Sequence, residues 1–155
     1  MKLVIDSKIP FIRGFAEQLG ETVYLTGPDI TAADVRDADA LIIRTRTHCN
    51  EALLAGSAVR FVATATIGYD HIDTDFMHHA HIAWSNCPGC NATSVAQYVE
   101  AACLLLAAHG CWSETRRPTP LTAPVDIRRP ERNVFAGLTL GIVGVGHVGK
   151  SVAKR

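Results

Sequence analysis

Two groups of residues in this 155-residue chain have the types and spacing to do chemistry. Near the end, Gly144, Gly146 and Gly149 stand in the order G-x-G-x-x-G, behind the apolar run 140–143 and ahead of helix-compatible residues. In a strand, tight turn and helix of this kind each glycine has a task. The first permits the sharp exit from the strand, the second lets the backbone approach a pyrophosphate, and the third lets the helix pack closely on the strand. The free N–H groups and positive dipole end of the helix then face an anion, so the motif reads as the phosphate turn of a dinucleotide site. Earlier in the chain, Arg44, Thr45, Arg46 and Thr47 place two guanidiniums and two hydroxyls in consecutive positions, donors suited to a carboxylate or phosphate.

These groups need elements to hold them. Short apolar runs predict buried strands over residues 2–6, 23–25, 40–44, 60–65 and 82–84, and residues 140–143 read as a sixth. Between them, helices are expected over residues 10–19, 31–36, 50–56 and 73–79. The first would begin at Pro10, present Phe11, Phe15 and Leu19 on one face and stop at Gly20, and the last would be capped by Asp73. Strands alternating with helices argue for a parallel sheet covered on both faces. A longer helix over residues 91–109 carries an apolar stripe of Val95, Tyr98, Val99, Ala102, Cys103 and Leu106, ends before Gly110, and can lead from one domain into the next. Residues 111–136 change character, with Pro118, Pro120, Pro124 and Pro130 and five arginines against three acids, and read as an extended solvated loop.

Open parallel sheets bind ligands at the carboxyl ends of their strands. The segment 44–47 follows the third strand. After the fourth, Thr66 and Gly68 could present a hydroxyl and exposed backbone N–H groups, and after the fifth come Asn86, Cys87, Pro88, Gly89, Cys90 and Asn91.

Composition removes other classes. Hydrophobic residues make up 48% and charged residues 19%, the balance of a globular chain with a real core. Fifteen basic and fifteen acidic residues cancel, leaving no global field for nucleic acid or an anionic membrane. A basic arm at 111–136 would need more stacking partners than Trp112 and Phe135. The start of the chain reads as a strand rather than a signal peptide, and no run approaches the roughly 18 apolar residues of a membrane span. Five cysteines, an odd number, suggest reduced thiols in a cytoplasm.

Taken together, several stretches resemble the D-2-hydroxyacid dehydrogenases: the run from Arg44 to Thr47, the segment 65–73 with Thr66, Gly68, His71 and Asp73, the segment 87–96 around Asn91, and the glycine turn at 141–149. The resemblance implies a flavodoxin-like parallel-sheet substrate domain over residues 1–95, an interdomain helix over 96–110, the loop insert 111–136, and from 137 the first strand, turn and helix of a Rossmann NAD-binding domain. It implies NAD as cofactor, a phosphorylated 2-hydroxyacid as substrate, and a homodimer in the full-length form. Arg44, Thr45, Thr66, Gly68 and Asn91 would bind the substrate, with the N–H groups of residues 67–69 near its carboxylate. Gly144, Gly146, His147, Val148 and Gly149 would hold the cofactor's pyrophosphate. The family's arginine, glutamate and acid-base histidine would all lie beyond Arg155, so no catalytic residue is assigned within the chain.

Three other readings compete. Cys87 and Cys90 form a C-x-x-C at a helix start, where the dipole would favour thiolate chemistry, although more strands and helices precede it than in a thioredoxin-like fold. A zinc site has little support, because His48 and Cys49 lack a second pair at ligand spacing, and His71, His78, His79, His81 and His109 read as surface or capping residues. A non-catalytic NAD-binding regulator on the same fold is the third.

Overall fold

The computed structural model describes residues 1–111, 120 and 137–155. Most of the loop insert expected at 111–136 lies outside the described residues. The chain divides into two compact units, Met1–Pro88 and Gly89–Arg155, so the long helix falls wholly in the second and the division comes before residue 95.

The first unit is a five-stranded parallel sheet of β1 (Lys2–Asp6), β2 (Glu21–Leu25), β3 (Ala40–Ile43), β4 (Phe61–Thr64) and β5 (Ala83–Ser85), in the order β2-β1-β3-β4-β5. This is the flavodoxin-like order. Alternation along the strands divides the core. Val4, Leu41, Ile43 and Val62 point to one face, where Val35 of α1 (Ala32–Val35), Leu53 and Leu54 of α2 (Glu51–Leu54) and Met77 of α3 (Thr74–His79) cover them. Each fully buried side chain of this size contributes roughly 1.5–3 kcal/mol. Leu3, Ile5 and Ala40 face the other way, into a smaller cluster with Ala16, Ile9 and Ile12.

The short helices begin where their capping residues stand. Asn50 accepts from the Leu53 N–H at 3.2 Å, Asp73 accepts from the Phe76 N–H at 3.0 Å, and Thr31 with Asp34 forms a reciprocal capping box. Asp34 is held below the usual carboxylate range by its hydrogen bonds from the Thr31 side chain and backbone.

The helix expected over 10–19 is not there: only a 3₁₀ turn at Ala16–Gln18 forms. Phe11 has φ of 60° and Gly14 of 83°, both outside the helical region. The residues that reach the sheet are Ile9, Ile12 and Ala16, while Phe11 is 98% exposed and Phe15 and Leu19 also face water. The competing apolar set is the one that packs against Leu3, Ile5 and Ala40.

The second unit contains α4 (Ala92–Ala108), capped by Asn91 and His109, and α5 (His147–Ala153). Its stripe differs from expectation at Tyr98, which is 75% exposed. Ala96, Val99 and Cys103 instead line a groove of about 620 Å³ shared with Leu138, Leu140 and Ile142. The strand expected at 140–143 does not form, and Leu138, Leu140, Val143 and Val145 are exposed. A strand exists only by pairing, and among the described residues this segment has no ladder partner. Arg155 donates to Glu100 at 2.9 Å, tying the end of α5 to α4. No helix among the described residues is long and apolar enough to cross a membrane.

Candidate functional site

In an order of β2-β1-β3-β4-β5 the connections change direction between β1 and β3, and the crevice outside the carboxyl ends of those strands is the binding position of such sheets. Asp6 ends β1 there, fully buried. One of its carboxylate oxygens accepts the Lys8 N–H at 2.9 Å and the other accepts Arg44 Nε at 3.0 Å. A buried carboxylate needs this compensation, and the bond through Nε leaves the terminal nitrogens of Arg44 for another partner. Thr47, 3% exposed, spends its hydroxyl on the Gly27 carbonyl at 2.9 Å. Of the four donors in this run, one hydroxyl is therefore structural and one guanidinium is anchored, while Thr45 and Arg46 stand exposed.

The next loop lies alongside, because Ile43 pairs with Thr64 and residues 45 and 66 each follow two positions later. Thr66 donates to the Gly68 carbonyl at 3.0 Å and sits 2.6 Å from the Thr64 hydroxyl, which in turn lies 2.9 Å from His71 Nε2. Asn86, just beyond β5, donates from Nδ2 to the Ile67 carbonyl at 2.7 Å. The N–H groups of residues 67–69 make no backbone hydrogen bond among the described residues, and Gly68 is exposed. Arg44, Thr45, Thr66 and Gly68 thus share one edge of the first unit, a cationic loop beside a loop of unspent backbone donors.

His71 departs from expectation. It is 6% exposed, not a surface residue, and burial lowers its pKa, helped by nearby His48 and opposed by Asp70. His109 is also buried, as the C-cap of α4. Asp6 is a candidate that the sequence did not single out, while Asn86 and His71, named there only within their loops, gain hydrogen-bond partners that the sequence did not assign. Asp6 could have been found once β1 was placed beside β3, since the residue ending β1 must then neighbour the 44–47 loop.

In the second unit, Asn91 caps α4 with its backbone alone, so its exposed amide is not used by the helix. The imidazole of His147 covers Gly89, where a Cβ would come within 2.8 Å of its ring. His147 and Asn91 thereby stand at the same end of this unit. Val148 is half-buried. Gly144 has φ of 92°, which favours glycine, and a Cβ on Gly149 would lie 2.1 Å from the Gly144 carbonyl oxygen. Gly146 is different: its φ is −77° and a Cβ would meet nothing within 4 Å. Nothing among the described residues requires glycine there.

The sequence profile described as "D-isomer specific 2-hydroxyacid dehydrogenase, catalytic domain" matches residues 4–147. The chain belongs to the D-isomer specific 2-hydroxyacid dehydrogenase family. Among members of that family, it is 49% identical over 155 residues to the erythronate-4-phosphate dehydrogenase of Bacteroides thetaiotaomicron, covering 99% of this chain and 38% of that protein. It is 43% identical over 157 residues to the protein of that name from Chromohalobacter salexigens, covering 100% of this chain and 35% of the other. The chain therefore spans little more than a third of the length of these relatives. Among solved structures, the NAD+-bound 3-phosphoglycerate dehydrogenase of Entamoeba histolytica matches with a TM-score of 0.66 and 26% identity, over 99% of this chain and 49% of that one. The D-lactate dehydrogenase of Aquifex aeolicus shares the fold, with a TM-score of 0.68 and 22% identity over 99% of this chain and 47% of that one. The α/β fold inferred from alternating elements is thus the fold of this dehydrogenase family, and the landmarks that carried the resemblance lie on it.

Proposed function

We propose that this chain provides the substrate-binding unit and the opening of the NAD-binding unit of an erythronate-4-phosphate dehydrogenase. The reaction would be NAD-dependent oxidation of 4-phospho-D-erythronate to 2-oxo-3-hydroxy-4-phosphobutanoate, in pyridoxal phosphate biosynthesis. The observation that carries this reading is the 49% identity to the Bacteroides thetaiotaomicron protein of that name, extending over 99% of the chain. A cytoplasmic location and a homodimeric full-length form belong to the same proposal.

Such a substrate brings two anionic ends, and the site offers donors for both. The N–H groups of Gly68 and Tyr69 suit a carboxylate, and the loop with Arg44, Thr45 and Arg46 suits an anion held by charge and hydroxyl together. Asn91, with its unspent amide, would reach substrate beside the nicotinamide. The turn from Gly144 to Gly149, with His147 and Val148, would hold the pyrophosphate. NAD, when bound, supplies the acceptor for the hydride that leaves the substrate's carbon as its hydroxyl becomes a carbonyl. The hydroxyl proton must go to a base, and by family resemblance none of residues 1–155 is that base. These residues orient and bind.

The test is a coupled absorbance assay of the full-length protein with NAD and 4-phosphoerythronate. Turnover is expected, and its absence would sink the reading. Thr45→Val should raise KM for the acid, leaving KM for NAD unchanged, by about two- to tenfold, the worth of one neutral hydrogen bond. An unchanged KM for the acid would remove Thr45 from the site.

A further inference from the structure

Hydrogen counting fixes the direction of the bonds around Thr66. The Gly68 carbonyl can only accept, so the single proton of the Thr66 hydroxyl is spent on it, at 3.0 Å. The contact of 2.6 Å between the two threonine oxygens must then use the proton of Thr64. With that proton spent, the contact of 2.9 Å between Thr64 and His71 requires His71 Nε2 to be the donor. A directed chain results, running from the buried imidazole through Thr64 and Thr66 to the Gly68 carbonyl.

The far end of this chain sets a peptide plane. In a planar trans peptide the C=O of one residue and the N–H of the next point in opposite directions. Pinning the Gly68 carbonyl to Thr66 therefore aims the Tyr69 N–H away from the threonines. The preceding peptide is pinned in the same manner, since Asn86 holds the Ile67 carbonyl at 2.7 Å and so aims the Gly68 N–H. Two consecutive N–H groups are fixed before any ligand arrives, and donors that need no reorganisation bind an anion at less cost.

We propose that His71 is a positioning residue: through Thr64 and Thr66 it holds the Gly68–Tyr69 peptide in the orientation that receives the substrate's carboxylate. The role of that carboxylate rests on the function proposed above; the direction of the hydrogen-bond chain does not. It assigns Thr66 a different task from direct donation to substrate, because its proton is already committed. His71 donates from Nε2 in this arrangement, and burial of its ring disfavours the charged form.

In the full-length protein, His71→Leu removes the donor and His71→Gln keeps an N–H at a similar reach. The leucine variant should raise KM for 4-phosphoerythronate about tenfold, with KM for NAD unchanged, and glutamine should recover it to within about threefold of the unsubstituted protein. A role in packing alone would lower thermal stability and leave that split absent. An unchanged KM for the acid, or equal rises in both constants, would overturn the proposal. A second measurement needs no activity: long-range nitrogen–proton spectra of the unsubstituted 155-residue chain should show His71 as the Nε2–H tautomer. The Nδ1–H form would overturn the proposal even if the leucine variant failed to fold. Should the unsubstituted enzyme not oxidise the acid, the functional reading falls. The hydrogen-bond chain is then judged by the Gly68 and Tyr69 amide resonances, which should move in the leucine variant and remain near native with glutamine.

Discussion

At the scale of single residues, the site is built from groups whose partners come from elsewhere in the chain. Asp6 and Arg44 are 38 positions apart and meet at 3.0 Å only because β1 and β3 are neighbours. Arg44→Met would leave the Asp6 carboxylate buried with the Lys8 N–H alone. The expected loss is about 2 kcal/mol, at the low side for a broken buried pair because the Arg44 side chain remains partly open to water. Asp6→Asn in the same background should restore most of it, since a neutral amide needs no cation. Urea unfolding of the single and double variants measures both, and additive losses would show that the two side chains are not coupled. His71 obeys the same logic. Its neighbours in sequence suggest an exposed loop, and its burial follows from packing that local composition does not encode.

At the scale of elements, legibility followed how local the cause was. The strands of the first unit are readable because continuous apolar runs such as Ala40–Ile43 carry their own signal, and the cap at Asp73 because a capping side chain acts within three residues. The segment 10–19 misleads because Phe11, Phe15 and Leu19 have helical spacing while Ile9, Ile12 and Ala16 supply the contact that counts. The 140–143 segment has strand composition without strand structure, since a ladder depends on partners rather than sequence. The glycine turn separates local from absent causes. Gly149→Ala places a Cβ 2.1 Å from a backbone oxygen, so α5 must shift from the turn. Gly146→Ala meets nothing within 4 Å and should leave amide exchange in α5 as it was. In the full-length protein both variants should raise KM for NAD, but only Gly149→Ala should also speed that exchange. Protection of α5 that survives Gly149→Ala would show that the turn accommodates a side chain there.

At the scale of the whole molecule, the two units differ in how much of their own structure they complete. Met1–Pro88 closes a five-stranded sheet around a buried cluster running from Val4 to Ile82. Gly89–Arg155 joins α4 and α5, yet only Ala96 is buried among the residues of those two helices, and the apolar segment 138–145 is largely open to water. Stability should be distributed accordingly, with slow amide exchange in β1, β3 and β4 and fast exchange across 138–145. The same inequality governs the cofactor. The turn from Gly144 to Gly149 can offer N–H groups to a pyrophosphate, but the acid that anchors the ribose is expected about 20 positions further on, outside residues 1–155. Phosphate contacts alone would have to fix a mobile dinucleotide, and the ordering cost would offset most of the gain. Residues 1–155 made alone should therefore neither reduce NAD with any hydroxyacid nor bind it tightly. Titration calorimetry should find no binding in the micromolar range. Micromolar affinity, or slow exchange at Leu140 and Val143 in a confirmed monomer, would mean that this chain assembles more of a cofactor site than its exposed apolar segment implies.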